Sequence, residues 1–177
     1  MVYLSTIYLS TNLFSYKGEF MNNKTKMLTE AGIIAALYVV LTMFSSVLGL
    51  ASGPIQVRLS ESLCVIAMLT PAAIPGLTAG CLFGNILSGC ALLDVVFGSL
   101  ATLAGAIASF ALRRHQIWAI AAPIIVNTAI IPFIIKFEYG MNQALLAIFF
   151  GVFIGELISI GGLGQIVIKA YTKIQDK

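Results

Sequence analysis

Residues 143–168 read QALLAIFFGVFIGELISIGGLGQIVI, and Glu156 is the only charged residue among them. A helix needs about 20 predominantly apolar residues to cross the hydrocarbon core of a bilayer, so this stretch is long enough. The rest of the chain has the same character: 59% of its 177 residues are hydrophobic, 10% are charged and the mean hydropathy is +1.01. A soluble domain usually carries about 25% charged residues to hydrate its surface. Lipid is therefore the expected solvent of this chain.

Working outward from this stretch, apolar runs separated by Gly, Pro and charged residues predict an all-α integral membrane protein with six transmembrane helices. The second run is too short to cross a bilayer at full thickness, and Thr29 is the expected N-cap of the first, with Glu30 in its first turn. Residues 21–177 form one domain by length. Residues 1–20 are expected to lie outside it, as a disordered leader or a misassigned start with Met21 as the true initiator; an interfacial helix is the weaker alternative. The predicted spans are 28–50, 59–69, 71–87, 92–112, 117–135 and 143–168.

The basic residues form clusters that predict the orientation of the chain. Cytoplasmic loops carry an excess of Lys and Arg, and six spans with both termini cytoplasmic place every cluster on the inside. No basic stripe alternates with aromatic residues, so no nucleic-acid partner is expected. The clusters are Lys17, Lys24 and Lys26 before the first span, Arg113 and Arg114 after the fourth, and Lys169, Lys173 and Lys177 at the C-terminus.

Polar and ionisable residues within spans are energetically costly, so each requires an explanation. In the predicted orientation, the polar residues contributed by five different spans all lie in the outer half of the membrane. Such an arrangement is typical of a ligand cavity that is open to the exterior. The candidate substrate-binding residues are Gln56, Arg58, Glu61, Asn85, Asp94, Asn127 and Glu156.

Structural explanations compete with this interpretation for several of these residues. Arg58 and Glu61 are three apart and could pair on one helix face, and Asp94 could cap the fourth helix. Asn127, like Asn85, could be a hydrogen-bonding contact between helices. Glu156 differs because no basic residue lies within several turns of it along the chain, so it needs a partner from another helix or a proton.

No enzyme motif is recognisable: the chain has no Gly-x-Ser-x-Gly, no His-Glu-x-x-His and no Walker loop. Cys64, Cys81 and Cys90 fit no metal-ligand spacing and are expected to be small buried hydrophobic residues. The prediction is a binding protein with no metal and no cofactor of its own, rather than an enzyme.

Three motifs carry a resemblance to a known family: residues 53–63 (GPIQVRLSESL), 70–77 (TPAAIPGL) and 93–103 (LDVVFGSLATL). With them, the chain from about Thr29 onward resembles the QueT family, whose members are substrate-binding S components of energy-coupling factor (ECF) transporters. The resemblance implies the six-helix S-component fold in the plasma membrane of a prokaryote. It also implies a transmembrane T subunit and two ATP-using cytoplasmic ATPase subunits as partners.

The resemblance further implies a ligand and a docking surface. The ligand would be a queuosine precursor, a 7-deazaguanine base such as queuine or its aminomethyl precursor, with Glu156 as the first candidate for the guanine edge. The first helix would dock through Ala31 and Ala35, which match an Ala-x-x-x-Ala pattern. An S component for another vitamin-like solute and a stand-alone membrane carrier remain as alternatives.

Overall fold

The computed structural model describes residues 23–50, 56–138, 140 and 144–175, and it is all-helical in these ranges. Residues 1–22 and 51–55, and with them the predicted leader and the first residues of the 53–63 motif, lie outside the described residues. Six helices are found in the described part of the chain. They are α1 (Asn23–Val47), α2 (Leu59–Met68), α3 (Ala73–Leu87), α4 (Asp94–Gly98 continued by Ser99–Ala111), α5 (Gln116–Glu138) and α6 (Leu145–Glu156, Leu157–Leu163 and Gly164–Gln175).

Four of these helices, α1, α4, α5 and α6, are long and apolar enough to cross a membrane. The other two, α2 and α3, are shorter apolar helices. The fold is therefore that of a helical integral membrane protein. The prediction that the second span is short agrees with the ten residues of α2.

The short helix α2 lies at the centre of the bundle. It has 3₁₀ geometry, nine of its ten residues are buried, and it contacts all five other helices. A helix that is buried on every side needs no polar face. This central position explains why Leu59–Met68 is apolar on all sides apart from Ser60, Glu61 and Ser62.

Helices α1 and α3 pack closely because glycines recur every fourth residue along α3. A Cβ atom on Gly76 would lie 2.7 Å from the carbonyl oxygen of Ala31, and one on Gly80 would lie 3.0 Å from that of Ala35. Small residues at such a seam allow helix backbones to approach closely in a membrane. The face of α1 that carries Ala31 and Ala35 thus packs against α3, with Ala31 buried and Ala35 partly buried.

The ends of the first and last helices differ from the sequence-based prediction. Helix α1 begins at Asn23, so Thr29 lies within it and donates its hydroxyl to the carbonyl of Thr25 (2.9 Å) instead of capping the helix. Helix α6 continues to Gln175, beyond the predicted end of the last span. Tyr171 on this extension donates a hydrogen bond to Glu30, which ties the end of α6 to the start of α1. A helix can continue through charged residues after it leaves the lipid. A helix end predicted from hydropathy therefore misses such an extension.

Candidate functional site

A polar hollow lies where five helices and the segment before α2 converge. The space measures about 330 Å³ including its open mouth, although the room left between the side chains would hold only about one water molecule. Its lining residues are Gln56, Arg58, Glu61, Cys81, Gly98, Thr102, Asn127, Ile131, Val152 and Glu156.

Glu61 is the best-satisfied carboxylate of the hollow. Its Oε1 accepts a hydrogen bond from the hydroxyl of Tyr38 (2.5 Å), and its Oε2 accepts from the thiol of Cys64 (3.1 Å) and the amide Nδ2 of Asn127 (3.2 Å). All four side chains are buried. These donors come from α1, α2 and α5, so Glu61 is held in one orientation by the bundle itself.

Glu156 is held differently. Its Oε1 accepts a hydrogen bond from the same Nδ2 of Asn127 (3.1 Å), so one amide nitrogen bridges the two carboxylates. Its Oε2 is buried and has no hydrogen-bond partner among the described residues. Several buried side-chain oxygens lack a hydrogen-bond partner among the described residues, and this one belongs to a residue that lines the hollow, where a water molecule or a ligand group can bond to it. Glu156 is thus paired with no basic side chain in the described part of the chain.

Arg58 and Asp94 form an ion pair at 3.3 Å, which joins the segment before α2 to the first turn of α4. Arg58 therefore pairs with Asp94 and not with Glu61, the partner three residues away that the sequence left open. Both side chains are largely buried, and a buried charge requires such a partner. Asp94 contributes to the site through Arg58 and does not itself line the hollow.

Asn85 lies behind this ion pair rather than in the hollow. Its Nδ2 donates to the backbone carbonyl of Asp94 (3.3 Å), so it links α3 to α4. Gly98 makes room for the contact, because a Cβ atom there would lie 3.2 Å from Asp94 Oδ1 and 3.3 Å from Asn85 Nδ2. Of the seven candidate binding residues, the structure brings Gln56, Arg58, Glu61, Asn127 and Glu156 together around the hollow.

Two segments of π-helical geometry lie beside the acids, at Asp94–Gly98 and Leu157–Leu163. Such segments occur frequently at functional sites because they shift the register of a helix by one residue. Gly98 lies in the first of these segments, and Gly161 and Gly162 lie in the second.

Tyr38 bonds to Glu61 but was not among the residues predicted from the sequence, although it is the only tyrosine in the first predicted span.

Gln56 is positioned by its backbone. An ideal Cβ atom on Gly155 would lie 1.9 Å from the carbonyl oxygen of Gln56, so only glycine permits this approach. Glu156 follows directly, and the segment carrying Gln56 and Arg58 is thereby packed onto α6 beside it. The close contact between Gly155 and Gln56 thus holds Gln56 beside Glu156 in the wall of the hollow.

These features define the protein as a membrane helix bundle with a buried polar hollow. Residues 28–173 match the family described as QueT transporter, and the chain belongs to this family. The family is described as one of transporters.

One curated relative is a protein of Lactococcus lactis subsp. cremoris (strain MG1363) named queuosine precursor transporter QueT. It is 41% identical to this chain over 81 residues, which cover 46% of this chain and 47% of the relative. The match therefore spans about half the length of that protein. No solved structure matches the chain.

Proposed function

We propose that this chain is the S component of an ECF-type uptake transporter and captures a queuosine precursor, a 7-deazaguanine base, from outside the cell. Membership of the QueT transporter family and the name of the Lactococcus relative support the substrate class. The site observation that carries the proposal is the buried, unbonded Oε2 of Glu156 beside the hollow.

The chemistry of the hollow suits a guanine-like ring. Such a ring presents a ring N–H and an exocyclic amine side by side, and one carboxylate can accept from both. Glu156 has this acceptor capacity because Asn127 uses only one of its oxygens. Gln56 and Arg58 line the same hollow and carry donors that could reach a ring carbonyl. Glu61 is less suited to the ring because it already accepts from three side chains.

Loading the base requires the hollow to widen. A space with room for about one water between its walls does not admit a two-ring base. The wall formed by the segment of Gln56 and Arg58 lies outside the helices, and the Arg58–Asp94 ion pair joins it to α4 while the backbone N–H of Val57 donates to the carbonyl of Leu50 (3.0 Å). We place ligand entry at this wall.

The proposed topology has six membrane passes in the plasma membrane of a prokaryote, with both termini cytoplasmic. The central α2 would be the short pass, enclosed by the other five helices. The contact between Glu30 and Tyr171 supports this arrangement, because it brings the start of α1 and the end of α6 to the same end of the bundle.

The proposed partners are a T subunit and two ATPase subunits that supply the energy of ATP. Helix α1 is the natural docking helix because only 22% of its apolar window is buried. Gly32 and Ala36 are exposed small residues of this helix, each one position after the proposed docking residues Ala31 and Ala35. Replacing Gly32 with tryptophan should abolish co-purification with the partner subunits while ligand binding persists. Retained co-purification would place docking elsewhere, and uptake without any ATPase would favour a stand-alone carrier.

The direct test of the site replaces Glu156 with glutamine. Glutamine keeps the shape of the side chain but adds donors where the ring N–H groups also donate, so affinity for a 7-deazaguanine base should fall at least tenfold, about 1.4 kcal/mol. Calorimetry on purified protein measures this. Glu138→Gln is the matched control, since Glu138 lies at the end of α5 and does not line the hollow.

The outcomes of this test are distinct. Unchanged affinity in Glu156→Gln would remove Glu156 from the site. Wild-type protein that ignores 7-deazaguanine bases and binds a vitamin would show that the substrate class is wrong, while leaving the S-component proposal intact.

A further inference from the structure

The hollow has one positive charge in its wall, and an acid behind the wall cancels it. Arg58 is the only basic residue among the described residues that line the hollow. Its Nη2 lies 3.3 Å from Oδ2 of Asp94, and the two side chains are 16% and 5% exposed. A guanidinium and a carboxylate at this distance have no net charge together, so the pair attracts an incoming anion far less than a lone guanidinium would.

Asp94 belongs to the packing of the bundle and does not line the hollow. It lies in the first turn of α4, where it is buried. The Nδ2 of Asn85 on α3 donates a hydrogen bond to the backbone carbonyl of Asp94 (3.3 Å). The acid that pairs with Arg58 is therefore positioned by the contact between α3 and α4.

The other charged residues of the hollow cannot restore a positive charge. Glu61 and Glu156 also line it, and a carboxyl group is either negative or, with a proton, neutral. With the Arg58–Asp94 pair included, the net charge around the hollow is negative or at most zero, whatever protons the two acids carry. An anion that entered would lose its hydration without gaining a countercharge, and burial of an unpaired charge is costly.

We infer that Asp94 is a specificity-determining residue, which makes the hollow reject anionic solutes by cancelling the charge of Arg58. The inference rests on the proposed function and narrows its substrate class to 7-deazaguanine bases that carry no carboxylate or phosphate. The N–H groups of Arg58 then serve a neutral carbonyl of the ligand. A nucleotide belongs to the excluded class, so the solute has to reach this protein free of phosphate.

Two bases that differ in charge and hardly in shape test this inference. 7-Carboxy-7-deazaguanine is an anion at neutral pH, and its primary amide is neutral. Calorimetry on the purified full chain should give at least tenfold tighter binding of the amide. Asp94→Asn keeps the shape of the side chain and removes its charge. In this variant the dissociation constant of the carboxylate, divided by that of the amide, should fall towards one.

Two further variants control for the loss of an acid and for the loss of the pair. Arg58→Gln leaves the charge of Asp94 uncancelled, so the ratio should rise above its wild-type value. Dividing one dissociation constant by the other removes the contribution of any contact that Arg58 makes to both bases alike. Glu138→Gln removes one acid from outside the hollow and should keep the wild-type ratio.

The outcomes separate this inference from the proposed function. If the carboxylate binds wild-type protein as tightly as the amide, or more tightly, the inference falls and the proposed function stands. If neither base binds and unsubstituted 7-deazaguanine also fails to bind, both fall. The wild-type comparison decides the charge preference even where Asp94→Asn does not fold. An unchanged ratio in folded Asp94→Asn, or a lower ratio in Arg58→Gln, would overturn the role of Asp94.

Discussion

Gly155→Ala is the sharpest test of how the hollow is built, because a single methyl group is placed against its wall. The added Cβ would lie 1.9 Å from the carbonyl oxygen of Gln56 and 2.7 Å from its carbon, whereas real Cβ atoms keep at least 3.0 Å. The difference, 3.0 − 1.9 Å, means that the Gln56 backbone must retreat by at least about 1.1 Å. Arg58, two residues along, is carried on the same segment.

We expect two effects of Gly155→Ala. Overpacking of this size costs about 1–3 kcal/mol, so the unfolding temperature in detergent should fall. The dissociation constant for the base should rise at least tenfold, since a displaced wall loses hydrogen bonds whose geometry is strict to a few tenths of an ångström. Calorimetry and thermal unfolding on the same preparation measure both.

Gly162→Ala is the matched control for this experiment. It adds the same methyl group to the same helix, at a position where no atom lies within 4 Å of the new Cβ. Its affinity should equal that of the wild type. A Gly155→Ala protein that binds as tightly as Gly162→Ala would refute the reasoning, because the position of the Gln56 segment against α6 would then not determine the affinity for the base.

Three further changes test the packing around the site. Asn127→Ala removes the amide donor that Glu61 and Glu156 share. Because interhelical hydrogen bonds are typically worth about 1 kcal/mol, the free energy of unfolding should fall by about that amount. Stability equal to wild type in denaturant titrations would contradict the hydrogen bonds from Asn127 to the two acids. Gly80→Ala places a Cβ 2.6 Å from that of Tyr38 and should cost about 1–3 kcal/mol. Gly32→Ala, at a position with open space around it, should instead be neutral or stabilise the protein by up to about 1 kcal/mol. Equal effects of Gly80→Ala and Gly32→Ala would disprove the close packing of α1 against α3.

The helices were predictable because composition alone separates lipid-facing runs from polar turns. The predicted span 59–69 lies within one residue of Leu59–Met68, and 71–87 ends where α3 ends. The errors lie at the outer ends, where α1 begins at Asn23 and α6 reaches Gln175. Hydropathy measures burial in lipid, and it carries no information about a helix that extends into water.

The site was predictable in its residue types but not in its connections. The free-energy cost of placing polar side chains inside a membrane identified Glu61, Asn127 and Glu156 as candidates before any of their contacts was known. The amide of Asn127 bonds to both acids only because of the way α2, α5 and α6 are rotated about their axes. This rotation cannot be deduced from the local sequence of any one helix. Tyr38 was missed for the same reason, since a tyrosine among aliphatic residues is commonly an interfacial anchor.

The central position of α2 has a consequence for biogenesis. Ten residues at about 2.0 Å each span about 20 Å, short of a hydrocarbon core of about 30 Å. With Glu61 inside it, this segment gains little from entering lipid alone, and nine of its ten residues are sheltered by helices that are mostly translated after it. A nascent chain released at Met68 has none of those later walls. The hollow beside Glu61 is therefore complete only after α6, which carries Val152 and Glu156, has been synthesised.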